Sequence, residues 1–126
     1  MRNYIVQSIP FIIDNYRKLV SGKTMTIFLT TNQYKFRPTL WLAIKDVFRG
    51  EEGFIKKYQI RLIHDLIPTL EEQDTIIVGC DAGLSRSPAV AMAIAYILED
   101  YELVDNMKEI YKFYNQDLYS AIINGE

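Results

Sequence analysis

Asp74–Val90 reads DTIIVGCDAGLSRSPAV, and its parts follow in the order strand, tight loop, helix. DTIIVGC has too few polar residues to face water, which predicts a central strand. The chain's one cysteine, Cys80, closes that strand. DAGLS follows, then Arg86, then Ser87 and Pro88, where a helix can start because proline is tolerated in a first turn. The next residues, AVAMAIAYIL, are apolar on every side and predict a buried helix. In an α/β sheet, ligands bind beyond the carboxyl ends of the strands. A short loop that curls into a helix N-terminus aims several backbone N–H groups at one point, and the helix dipole adds positive potential there. Gly83 permits the close turn, and Arg86 offers a planar fork that matches two oxygens of an anion. The same field favours the thiolate form of Cys80 at neutral pH.

Working outward, the rest of the chain alternates between the two periods. Asn3–Gln7 predicts a short strand. Ser8 and Pro10 open a helix with Ile12, Tyr16, Leu19 and Val20 on one face, ended by Ser21-Gly22. Thr24–Thr30 (TMTIFLT) and Leu40–Lys45 (LWLAIK) predict strands, the first of them buried. Asp46–Gly53 is a polar, glycine-punctuated loop. Phe54, Tyr58, Leu62, Leu66 and Leu70, with Ile55, Ile63 and Ile67 beside them, predict a long amphipathic helix. Leu103, Met107, Ile110, Tyr111 and Tyr114 mark another helix, and Leu118, Tyr119, Ile122 and Ile123 a short closing segment. This alternation predicts an α/β fold with a central, mainly parallel sheet of about four to five strands flanked by helices.

Composition narrows the class. The 126 residues suit one domain, 1–126, and the chain shows no repeat, linker or low-complexity tract. Hydrophobic residues make up 49% and charged residues 24%, enough apolar material to bury a core. A net charge of −2 argues against a nucleic-acid-gripping protein. A single cysteine allows no internal disulfide and fits a reducing, cytoplasmic setting. No apolar run reaches the roughly 18 residues of a membrane span, and the N-terminus carries no expected signal peptide.

The run Cys80-x5-Arg86-Ser87 between a strand and a helix resembles the signature of the cysteine-dependent protein tyrosine phosphatase superfamily. C-D-A-G-L-S-R-S resembles its dual-specificity branch in particular. The loop lies two-thirds along the chain, not near its start as in the low-molecular-weight branch, and the element order extends the likeness loosely from Leu40 to Tyr119. The resemblance implies a dual-specificity phosphatase-like fold and hydrolysis of phosphomonoesters through a phosphocysteine. It implies a phosphorylated protein or small phosphomonoester as substrate, no metal, no cofactor and a free-standing monomer. Cys80 is then the nucleophile. Arg86, with the backbone of Asp81, Ala82, Gly83, Leu84 and Ser85, is the phosphate cradle, and Ser87 assists departure of the sulfur.

The sequence departs from that family in one place and leaves another open. Gly79 stands where family members usually carry a histidine before the cysteine. An enzyme slowed by that change, or a phosphate-binding module with little turnover, is the alternative reading, and Gly79→His is expected to raise activity near pH 6. Rhodanese-like and arsenate-reductase-like chemistry fit less well, because the former's loop is usually a residue shorter and the latter needs more cysteines. The family's general acid is an aspartate on an upstream loop. Asp46 fits, with Glu51 and Glu52 as alternatives on the same loop. Asp81 is expected to point its side chain outward as a negative charge at the rim, and His64 to be an ordinary polar residue of a helix.

Overall fold

In a computed structural model, which describes residues 2–125, the chain alternates strand and helix and then ends in helices. The order is β1 (Asn3–Ser8), α1 (Ile9–Leu19), β2 (Thr24–Leu29), β3 (Leu40–Leu42), α2 (Lys57–Glu71), β4 (Thr75–Cys80), α3 (Arg86–Ile97), α4 (Tyr101–Ile110) and α5 (Gln116–Asn124). The four strands form one sheet in the order β1-β4-β2-β3, and each pairing is parallel. The strand that ends in cysteine is therefore interior. All six of its residues are buried, which is why it reads as a continuous apolar run.

Side chains of β4 alternate between two cores. Ile76, Val78 and Cys80 join the larger core with α3 and α5, whereas Ile77 joins Ile9, Ile12 and Phe28 beneath α1. α1 starts on cue, because Ser8 Oγ accepts the Phe11 N–H and Pro10 sits in the first turn. α3 is buried over most of its length, with Ser87 to Ala95 all buried. Among the described residues, no helix is long and apolar enough to cross a membrane.

Three expectations need correction. The strand expected over Leu40–Lys45 stops at Leu42. Its partner β2 ends at Leu29, and the Ile44 N–H turns back to the Leu42 carbonyl at 3.0 Å, so the ladder has nothing to continue along. The second helix starts at Lys57, not Phe54, and Tyr58 and Leu62 of the expected stripe are exposed. Ile63 and Leu70 of the expected face are buried, joined by Ile60, while Ile55 enters the core before the helix begins. The following helix ends at Ile110, which is 70% exposed. Val104 and Met107 face the core, and Tyr111 and Tyr114 pack against it from beyond the helix end.

Candidate active site

Cys80 ends β4 with its side chain on the α3 face, and the loop 81–85 folds back over it before α3 begins. Cys80 is only 2% exposed. Three groups converge on Sγ: the Ser87 hydroxyl at 3.2 Å, the Gly83 N–H at 3.2 Å and the Ser87 N–H at 3.4 Å. Gly83 has φ +73°, and a Cβ there would come within 2.4 Å of the Ser8 backbone nitrogen. Only glycine lets the loop lie against the end of β1 in this left-handed conformation. Ala82 and Leu84 turn outward and are exposed.

Arg86 is fixed at two of its three nitrogens. Nη1 donates to the Ile44 carbonyl at 2.9 Å, and Nη2 donates to Asp81 Oδ2 at 2.9 Å. Nε is buried with no hydrogen-bond partner among the described residues. An orphaned buried donor on the guanidinium edge shared with Nη2 is poised to donate to an anion's oxygen. The truncation of β3 at Leu42 matters here, since it is the turn after it that releases the Ile44 carbonyl to Arg86.

Asp81 does not point outward as expected. Its Oδ1 accepts the Thr30 and Tyr34 hydroxyls, each at 2.7 Å, while Oδ2 holds Arg86. Burial pushes its carboxyl up, but the hydrogen bonds from Thr30, Tyr34 and Arg86 outweigh burial and draw it down to about 2. Tyr34 is shifted up in turn, by burial first and by the adjacent carboxylate second.

Asp46 lies against the other side of the loop. Its Oδ1 accepts the Ser85 hydroxyl at 2.8 Å and the Asn115 Nδ2–H at 3.0 Å. Asn115 caps α5 by accepting the Leu118 N–H on Oδ1, and its Nδ2 also reaches the Val47 carbonyl. Its own N–H donates to the Ser85 carbonyl at 3.1 Å. A cleft of about 720 Å³ opens here, lined by Asp46, Phe48, Glu51, Ser85, Phe113 and Tyr114 among others. Glu51 lines it too, with Oε1 taken by the Phe48 N–H at 2.6 Å, whereas Glu52 is exposed and outside the lining.

The structure thus brings Cys80, Asp81, Gly83, Ser85, Arg86, Ser87 and Asp46 into one place. His64 is elsewhere, its Nε2 2.7 Å from the Ile122 carbonyl. Sequence reasoning missed Thr30, Tyr34, Asn115 and the Ile44 carbonyl. Asn115 could have been found as a helix N-cap, because Asn directly precedes QDLYSAI. At Gly79 a histidine would crowd the side chains of α1. A Cβ there would meet Ile12 Cδ1 at 2.6 Å and Ile9 Cγ1 at 3.1 Å, so α1 occupies the space an imidazole needs. Among the described residues, no cluster of three His, Cys, Asp or Glu side chains could hold a metal ion.

No protein-family model matches the chain, and a search of curated proteins finds no match either. Among solved structures the chain is similar to OH1 from the Orf virus, described as a tyrosine phosphatase with distinct structural features and triple substrate specificity. The two share 15% identity over 99% of this chain and 80% of that one, with a TM-score of 0.53. The likeness is one of fold. The all-parallel four-stranded sheet flanked by five helices is a dual-specificity phosphatase-like fold, as the loop resemblance implies.

Proposed function

We propose that this chain is a cysteine-dependent phosphomonoesterase, acting on a phosphorylated protein or a small phosphomonoester. The observation that carries the reading is the Cys80 sulfur. It accepts the Gly83 and Ser87 N–H groups and lies against the Ser87 hydroxyl at a helix N-terminus, in a loop whose arginine keeps a buried Nε without a partner among the described residues. In the first step Sγ, as thiolate, bonds to phosphorus while the P–O ester bond breaks. Arg86 and the loop N–H groups balance charge on the equatorial oxygens. Asp46 gives its proton to the leaving oxygen. Both of its donors fall on Oδ1, so Oδ2 is the oxygen that carries the proton. In the second step water attacks phosphorus, Asp46 takes its proton, and the S–P bond breaks with the sulfur leaving toward the Ser87 hydroxyl.

The test is hydrolysis of para-nitrophenyl phosphate in the presence of EDTA. Cys80→Ser should fall to background. Arg86→Lys should lose most of the rate, because a point charge cannot replace a fork. Asp46→Asn should cost roughly 10²–10⁴-fold with phosphotyrosine, whose phenol needs a proton, and little with an ester of a strongly acidic phenol. Activity that survives Cys80→Ser overturns the mechanism. A selective loss in Glu51→Gln or Glu52→Gln moves the acid to that residue.

The alternative, a phosphate-binding module with little turnover, draws on the pairing of Asp81 with Arg86, which already spends part of the arginine's charge. Tungstate binding by a wild-type chain that hydrolyses nothing would select it.

A further inference from the structure

Resting on that reading, we propose that Asp81 is a positioning residue that aims Arg86 at the oxyanion, and that Thr30 and Tyr34 hold it to that task. Asp81 directly follows the nucleophile and, as a loop member, owes the anion only its backbone. Its side chain instead ties the loop arginine to the end of the neighbouring strand. Its hydrogen bonds from Thr30, Tyr34 and Arg86 are short, at 2.7, 2.7 and 2.9 Å, and they take both carboxylate oxygens.

The clamp is built from several directions. Thr30 is fully buried just past β2. Its hydroxyl also accepts the Asn32 N–H at 3.0 Å, and its carbonyl accepts the Trp41 indole N–H at 3.2 Å. The Thr30 hydroxyl can therefore aim its own proton only at Asp81. With Nη2 on Asp81 and Nη1 on the Ile44 carbonyl, rotation of the guanidinium is blocked. Nε is then left as the guanidinium nitrogen without a partner among the described residues. A long, rotamer-rich side chain is thereby preorganised before an anion arrives, and the entropy of ordering it is spent in folding instead of in binding. The carboxyl stays ionised at ordinary assay pH, since it is held at about 2.

The experiment separates positioning from mere structure by double-mutant analysis. Turnover of para-nitrophenyl phosphate is measured for wild type, Asp81→Ala, Asp81→Asn, Arg86→Ala and the pair Asp81→Ala with Arg86→Ala. Asp81→Ala should lower kcat by about 10- to 100-fold through misalignment. Asp81→Asn should recover most of the loss, because its amide oxygen still accepts from Arg86 while its NH₂ donates to the two hydroxyl oxygens. In the Arg86→Ala background, Asp81→Ala should cost nothing more, since two residues that act as one unit are not additive. Thr30→Val with Tyr34→Phe should reproduce part of the Asp81→Ala loss, and again not in the Arg86→Ala background. This pair also keeps the test alive should Asp81→Ala fail to fold by circular dichroism.

A wild-type kcat in Asp81→Ala, or the same fold loss with and without Arg86, overturns the inference while leaving the phosphatase reading intact. A wild-type chain that neither hydrolyses the ester nor binds tungstate overturns the phosphatase reading itself.

Discussion

Gly79 offers a sharp test, because sequence likeness and structure give opposite answers there. The likeness asks for a histidine, and the sheet has no room for one. Gly79 lies in β4 with its missing side chain directed at α1, and an added Cβ would lie 2.6 Å from Ile12 Cδ1, 3.1 Å from Ile9 Cγ1 and 3.4 Å from Phe28 Cδ1. Carbon atoms prefer about 3.5–4.0 Å, so the methyl of Ile12 must retreat by roughly 1 Å. Ile9, Ile12 and Phe28 are fully buried, so any shift has to be taken up within the packed core. Overpacking of this kind typically costs about 1–3 kcal/mol, and removing a strand glycine returns about 0.5–1 kcal/mol, so Gly79→Ala should lose roughly 1–2 kcal/mol. For a domain of this size that is a fall in Tm of roughly 4–8 °C. Gly79→His must also force a ring into an apolar cluster without a partner for its nitrogens, adding roughly 1–3 kcal/mol for the unsatisfied polar group alone. A total beyond about 4 kcal/mol is a large share of the roughly 5–15 kcal/mol that a domain possesses. Urea unfolding of the three proteins, followed by circular dichroism, measures this directly. A Gly79→His chain with the wild-type midpoint would show that α1 does not seal this face, and a gain in activity near pH 6 would restore the expectation drawn from the likeness.

Three further outcomes follow from other contacts. Asn115→Ala should remove one of the two donors on Asp46 and the cap of α5 together, lowering Tm by the equivalent of about 1 kcal/mol and cutting turnover of phosphotyrosine more than that of an ester with an acidic phenol; equal losses would leave Asn115 with a structural part only. The Asp81 carboxyl is depressed in the folded chain, so its contribution to stability is complete above its ordinary value of 3.8 and is lost as pH falls toward about 2; Tm measured from pH 5 to pH 2 should drop less steeply in Asp81→Asn than in wild type. Tyr4 is raised well above its ordinary value of 10.0, by burial first and then by its hydrogen bond to Asp100, to whose Oδ2 it donates at 2.7 Å. Its stabilising contribution is therefore complete below pH 10 and is lost as pH climbs beyond it, and Tyr4→Phe should flatten that alkaline loss.

The part of this molecule that was legible in its sequence is the part whose signal is local. Strand β4 is buried on both faces, so its run TIIVGC carries no polar interruption, and α3 is buried all round, so its sequence is apolar all round. Cys80, Gly83, Arg86 and Ser87 fall within eight consecutive positions, and one turn of backbone suffices to bring them together. The rest depends on partners that no window of sequence contains. Tyr58 and Leu62 share a helical stripe with Leu70, yet these two face water while Leu70, with Ile60 and Ile63, turns into the core. β3 ends where its neighbour ends, not where its own apolar residues stop. Thr30 falls at the end of the run that predicts a strand and Tyr34 in the segment after it, and only the pairing of β2 with β4 sets them beside Asp81.

That dependence on partners has a structural logic. In an all-parallel sheet every strand delivers its carboxyl end to the same edge, and here each of the four supplies a contact to the one loop. β4 ends in Cys80 itself. β1 ends at Ser8, whose backbone nitrogen packs so close to Gly83 that no side chain fits between them. The residue after β2, Thr30, binds Asp81, and the turn after β3 supplies the Ile44 carbonyl to Arg86 and Asp46 to Ser85. Two of these contacts, at Ser8 and Ile44, are made by backbone and place no demand on side-chain identity. A chain can therefore hold this loop in shape while most of its residues differ from those of a structural relative, provided that the strand order and the glycine at position 83 are kept. The chain shares its fold with OH1 at 15% identity over nearly the whole of its length. Residues whose side chains do the holding, Asp81 and Asn115 above all, are then where this protein's own chemistry can differ from that of other chains with the fold.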